Sequence, residues 1–184
     1  MMALDKTFSS GEVLSAGDVN GHLLGLWIPI DKRVITSGAP VSSVSFASID
    51  SNFRMFRISY YAHLLSGFWR MRINNDTGSN YFWQNVSGIN TTVSAVRAAP
   101  SNTVELHVGS TPNPNFGTIH VAKPTTTTTA RIIWQETSNS VAEPMMQTGG
   151  GGWNNTSTLI NRIDVYAEAG TFYGIVALEG MRGV

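Results

Sequence analysis

The chain has 184 residues, a length that suits one domain and lets it bury a core without external staples. Hydrophobic residues make up 42% and charged residues 13%, about half the usual charged share, which excludes bulk disorder and leaves Ser, Thr, Asn and Gly to cover the surface. Twelve basic and twelve acidic residues cancel, so no broad positive field draws in nucleic acid, and with no Cys there is no disulfide scaffold, thiolate metal site or cysteine nucleophile.

In chain order, `MMALDKTFSSGEVLS` lacks the cationic segment and following apolar run of a signal peptide. No stretch approaches the roughly 18 apolar residues of a membrane span, so no membrane insertion is expected. Ser15 followed by Asp18 resembles a capping box before an apolar run, and Val19, Leu23 and Leu26 share a helical face. Gly21 and Gly25 each weaken a helix by about 1 kcal/mol. The expectation is at most one short helix, near residues 16–24, on an N-terminal arm of residues 1–26. That arm either reaches away from the main domain or packs back on it.

From Trp27 to the end, alternation predicts strand after strand. Val44 and Phe46 share one face of `SVSFASI`, and Phe56, Ile58 and Tyr60 one face of `MFRISYY`. Trp69, Met71 and Ile73 point inward in `WRMRI`; Val104, Leu106 and Val108 do so in `TVELHV`, and Ile119 and Val121 in `TIHVA`. `RIIWQ`, `INRIDVYA` and `FYGIVALEG` follow. Period two marks sheets with one buried face, and Gly/Pro/Asn/Ser clusters separate the runs. The fold expected over residues 27–184 is all-β: an antiparallel two-sheet, jelly-roll-like sandwich. `KPTTTTTARI` reads as the start of a strand or a solvated edge, and `TGGGGWNN` as a flexible loop anchored by Trp153, with sugar stacking by Trp153 as the functional alternative.

The most motif-like stretch is `RMRINNDTGSNYFW`. From Asn74, a calcium loop would need a ligand where Gly78 stands and a bidentate Glu where Asn85 stands, so the metal reading fails. The remaining reading is a polar reversal between two strands, with Asn and Asp tolerating left-handed backbone and Gly78 supplying positive φ. His107 and His120 flank `GSTPNPNFG`. Were those runs a hairpin, the imidazoles would be cross-strand neighbours, able to ring a threefold axis around a metal; solvent-facing or interface His is the plainer reading. No phosphate loop, dinucleotide fingerprint or GxSxG elbow occurs, and Asp164, Glu168 and Glu179 are scattered carboxylates. No catalytic residues, metal or cofactor are expected. Tyr61, Tyr81, Trp83, Trp153 and Tyr173 either stand partly exposed for stacking or fill the core.

The segment `SFASIDSNFRMFRISYYAHLLSGFWRMRINNDTGSNYFW` resembles a β-domain of tailed-bacteriophage virion proteins, in which a strand ending in an Arg-Phe-Asn-Gly-Asp-Thr-Gly-like turn is followed by Asn-Tyr. Arg72, Asn74, Asp76, Thr77, Gly78, Asn80 and Tyr81 fit that pattern, and Ile73 and Asn75 depart from it conservatively. `WNNTSTLINRIDVYAEAGTFYGIVALEGMRG` looks like the family's closing hairpin, with Leu178, Gly180 and Gly183 in its terminal pattern. `TFSSGEVLSAGDVNGHLL` resembles a leader of phage tail and fibre proteins.

The resemblance implies a homotrimeric sandwich on the virion surface, assembled in the host cytoplasm: a tail fibre or minor tail component, or a capsid decoration or head fibre. The arm, through Phe8, Val13, Leu14, Val19 and Leu23, would anchor the protein to other virion proteins. For host-surface glycan, the candidate ligand loops hold Asn75, Asp76, Asn80, Tyr81, Trp153 and Asn154. In the competing reading the chain is purely structural and those loops are idle.

Overall fold

Apolar and polar side chains alternate because one face of each strand meets the core, and in the computed structural model this pattern becomes twelve strands among the described residues. The structure describes residues 26–89, 91–106, 114–138 and 145–183. The expected arm helix and its anchoring residues Phe8, Val13, Leu14, Val19 and Leu23 lie outside the described residues, as do His22 and His107.

The strands are β1 (Ile28–Ile35), β2 (Ser43–Phe46), β3 (Phe53–Leu64), β4 (Trp69–Ile73), β5 (Tyr81–Ile89), β6 (Thr92–Ser101), β7 (Val104–Glu105), β8 (Asn115–Ala122), β9 (Ala130–Ser138), β10 (Met145–Trp153), β11 (Ile163–Ala167) and β12 (Phe172–Arg182). A large sheet has the order β1-β12-β3-β8-β9-β10-β5-β6, and a small one the order β2-β11-β4-β7. Every pairing is antiparallel. The chain alternates between sheets from β2 to β5, from β6 to β8 and from β10 to β12, which is jelly-roll winding; the meander β8-β9-β10 widens the large sheet. At one edge β1 lies beside β12, with Ile28 opposite Gly180.

The core sits between the sheets. Phe56, Ile58, Tyr60, Ile119, Val121, Ile132 and Trp134 come from the large sheet and Val44, Phe46, Trp69, Met71, Ile73, Ile163 and Val165 from the small one, all buried as the alternation predicts. Trp69 at the start of β4 packs against Phe172 at the start of β12, ring centroids 4.4 Å apart, tying the two layers together.

Five local expectations are corrected. The Asx-rich segment after Ile73 is not a reversal between paired strands: β4 is in the small sheet and β5 in the large one, so it crosses between layers. The closing segment is likewise no hairpin, because β11 and β12 lie in different sheets. β7 pairs with β4, and β8 with β3 and β9, so the runs flanking `GSTPNPNFG` do not form the hairpin that would set His107 beside His120. `TGGGGW` is not a loop but the second half of β10, hydrogen-bonded on both sides by β9 and β5. The Thr run is neither strand nor edge; it forms the β8–β9 turn, with Thr125, Thr127 and Thr128 hydroxyls bonded to one another.

Candidate functional site

The layer crossing at Asn74–Asn80 is built from short polar side chains that replace backbone partners. Asn74 and Asn75 take the left-handed conformation (φ 53° each), the role expected of Gly78. Asn74 Oδ1 accepts from the Asn161 and Arg162 N–H groups (3.0 and 3.1 Å), and its Nδ2 donates to the Leu159 carbonyl (2.7 Å). Asp76 Oδ1 accepts from Gly78 N–H (2.8 Å), and a Cβ at residue 78 would crowd the Asn80 amide at 2.9 Å and that carboxylate oxygen at 3.1 Å. Asp76 Oδ2 accepts from the Asn80 amide (2.9 Å) and from the Trp153 indole N–H (2.7 Å). Burial alone would raise the Asp76 pKa; the Trp153, Asn80 and Gly78 donors outweigh it and hold the carboxyl below its ordinary value.

Lys123 is buried beside this knot, its ammonium over the Trp153 ring and donating to the Thr126, Thr128 and Asn155 carbonyls. Desolvation lowers its pKa.

The proposed ligand-loop residues therefore divide. Trp153 (0% exposed) and Tyr81 (1%) belong to the core, and Tyr81 OH bonds to both the N–H and the carbonyl of Ile73. With its ring buried, Trp153 does not offer a face for sugar stacking. Asp76 is spent on internal donors. Asn75, Asn80 and Asn154 are exposed, and Asn154 N–H is held by the Asn80 carbonyl (2.7 Å). This knot joins two inter-sheet crossings; its side chains are turned on the protein itself. Of the other aromatics, Trp83 is buried and Tyr61 exposed.

The scattered carboxylates meet arginines. Asp164 pairs with Arg162 (2.9 Å) and accepts from Ser45 Oγ (2.5 Å), Glu168 pairs with Arg70 (2.6 Å), and Glu179 pairs with Arg57 (2.6 Å). Among the described residues no three of His, Asp and Glu gather as a metal site.

The outer face of the large sheet is the part that sequence reading missed. Register places Val34, Ile175, Tyr61, Phe116, Thr137, Met146, Gly88 and Val93 in one row, one residue per strand. At about 4.8 Å per strand the row is roughly 34 Å long. It is apolar at six of eight positions and open to solvent: Val93 is 75% exposed, Met146 68% and Phe116 57%. A groove of about 540 Å³ runs between Val86, Phe116 and Met146.

The neighbouring inner row is polar: Tyr60, Gly117, Glu136, Gln147, Ser87 and Ser94. Gln147 Nε2 donates to the Leu106 carbonyl (2.9 Å), and Ser87 Oγ bonds Ser94 Oγ (2.8 Å). The usual sidedness is thus inverted at this end of the sheet. β5 carried the signal: in `YFWQNVSG` the inward phase passes from Tyr81 and Trp83 to Asn85 and Ser87, while Val86 turns outward.

Two rows away, the same outer face is charged: Glu179, Arg57, His120, Ile133, Gly150, Gln84 and Arg97 lie in register. Trp27 covers its β3–β8 part, with Arg57 4.8 Å and His120 5.8 Å from the Trp27 ring. Comparison with family models, with curated proteins and with solved structures finds no match to this chain.

Proposed function

We propose that the chain is a non-enzymatic structural protein of a tailed-bacteriophage virion, a sandwich that self-associates and projects from the particle as a tail-fibre or minor tail component. The observation that carries the assembly part is the exposed apolar row across the large sheet. Its six apolar side chains leave on the order of 600 Å² open, at the top of the ~300–600 Å² range for the largest patch on a typical monomer. That approaches the ~800 Å² each partner gives to a standard interface. A second copy of the chain is the natural cover, and the threefold arrangement and the particle come from the resemblance. Asp164, Glu168 and Glu179 are each held by an arginine, so these three do not form the free carboxylate pair that glycoside hydrolysis needs.

Sedimentation velocity on the purified chain tests the assembly reading. The native protein is expected to form an oligomer, and the double variant Phe116→Glu/Met146→Glu a folded monomer with an unchanged circular-dichroism spectrum. A native chain that stays monomeric at high micromolar concentration rules out self-association through this face. The anchoring arm is tested separately. Removal of residues 1–24 is expected to leave a soluble sandwich that no longer enters particles, and normal incorporation would end the anchoring role.

A further inference from the structure

The geometry points to a binding groove for acidic saccharides on the outer face of the large sheet, floored by the glycines of β10 and flanked by Arg97 and Arg131. Gly150 sits between Ile133 on β9 and Gln84 on β5, and Gln84 pairs with Arg97 on β6. Gly152, the next outward position, sits between Arg131 and Phe82. The missing side chain at Gly150 opens a trough of about 520 Å³ along the Gly150–Gly151 backbone, while at Gly152 the Phe82 ring takes the space a side chain would fill. A Cβ at Gly150 would meet nothing nearer than the Ile132 carbonyl oxygen at 3.6 Å, so this part of the floor is open. Phe82 leans over Gly152 and closes one end with an aromatic ring.

The arginines give the groove its chemistry. The chain has nine. Arg33, Arg57, Arg70 and Arg162 are held by carboxylates, Arg54 and Arg72 by backbone carbonyls, and Arg182 lies over the Phe53 ring. Arg97 and Arg131 have no hydrogen bond or ion pair among the described residues, and both line this one groove. A guanidinium fork binds a carboxylate through two parallel hydrogen bonds, Gln84 offers a donor and an acceptor for sugar hydroxyls, and the flat floor admits a pyranose ring. From β6 to β9 the groove spans roughly 14 Å at ~4.8 Å per strand, enough for more than one sugar unit. A nucleic acid is disfavoured because the net charge is zero and two arginines supply little of the phosphate neutralisation that drives such binding.

The test is calorimetric titration of the full chain with oligogalacturonate and with α2,8-linked oligosialate. A neutral galacto-oligosaccharide and single-stranded DNA serve as comparisons. At least one acidic saccharide is expected to bind, with the neutral one about tenfold weaker or worse. Arg97→Gln and Arg131→Gln are each expected to weaken binding by about tenfold. Gly150→Leu, whose Cβ has room, is expected to block the groove with the melting temperature unchanged. Absence of binding by both acidic saccharides overturns the proposal. So does full binding by Gly150→Leu, or a preference for DNA that the three variants leave intact. Sedimentation of the same variants separates the two readings: lost saccharide binding in an intact oligomer counts for the groove, whereas a monomeric native chain that still binds saccharide counts only against assembly.

Discussion

Trp153 joins the two ends of the knot that crosses between the sheets, through one hydrogen bond from a fully buried indole to Asp76. Trp153→Phe keeps most of the ring packing and removes the donor, so it is expected to cost about 1–2 kcal/mol in chemical denaturation. Asp76 adds a pH dependence. Its pKa is lower in the folded chain than the ordinary 3.8, so its contribution is complete above that value and drains away as pH falls through the folded value. Stability is therefore expected to fall below about pH 4, and Asp76→Asn to flatten that part of the curve; an unchanged slope in the variant would place the titration elsewhere. The sequence marked these residues as special, since Asn, Asp and Gly in such density signal a backbone that turns without regular partners. It did not disclose that the partners lie some eighty positions later, at Trp153 and Asn161, because side-chain reach across a fold has no periodicity to read.

The glycine run of β10 was misread at the level of the element for a related reason. Alternation needs side chains, and four glycines have none, so a central strand and a loose loop look alike. Packing decides between them. A Cβ at Gly149 would overlap the Trp134 ring, which lies flat across the strand, and one at Gly151 would strike the β5 backbone. Gly149→Val is accordingly expected to destabilise the sandwich by about 1–3 kcal/mol or to prevent folding, read as a lowered denaturant midpoint. Gly150→Leu, one position on, is expected to be tolerated. Strands with a clear two-residue alternation were legible: β3, β4 and β8 bury the faces that alternation assigns, whereas β1 and β6, with no fully buried face, carried no such pattern. Which sheet each strand joined was not, since jelly-roll winding separates neighbours in sequence, as β4 from β5 and β11 from β12.

Across the whole molecule, the inversion of sidedness in the large sheet is the departure from an ordinary sandwich. Polar groups beneath and apolar groups above mean that one end of this sheet treats its outer surface as an interior. If a second copy covers it, folding and association are linked, and the melting temperature is expected to rise with protein concentration by several degrees over a hundredfold range. The Phe116→Glu/Met146→Glu chain is expected to show no such rise. A concentration-independent melt of the native chain would mean the row is uncovered in solution.

The pairing of Ile28 with Gly180 has a practical corollary. Neighbouring strands are about 4.8 Å apart, so the polypeptide enters and leaves the sandwich at a single corner. A short Gly-Ser linker from Arg182 to Trp27 would close the chain into a ring, and reopening it between Thr126 and Thr127 would yield a permutant with every strand intact. Cargo fused before Trp27 and cargo fused after Arg182 would emerge side by side, leaving the remote β6 margin and its groove unobstructed.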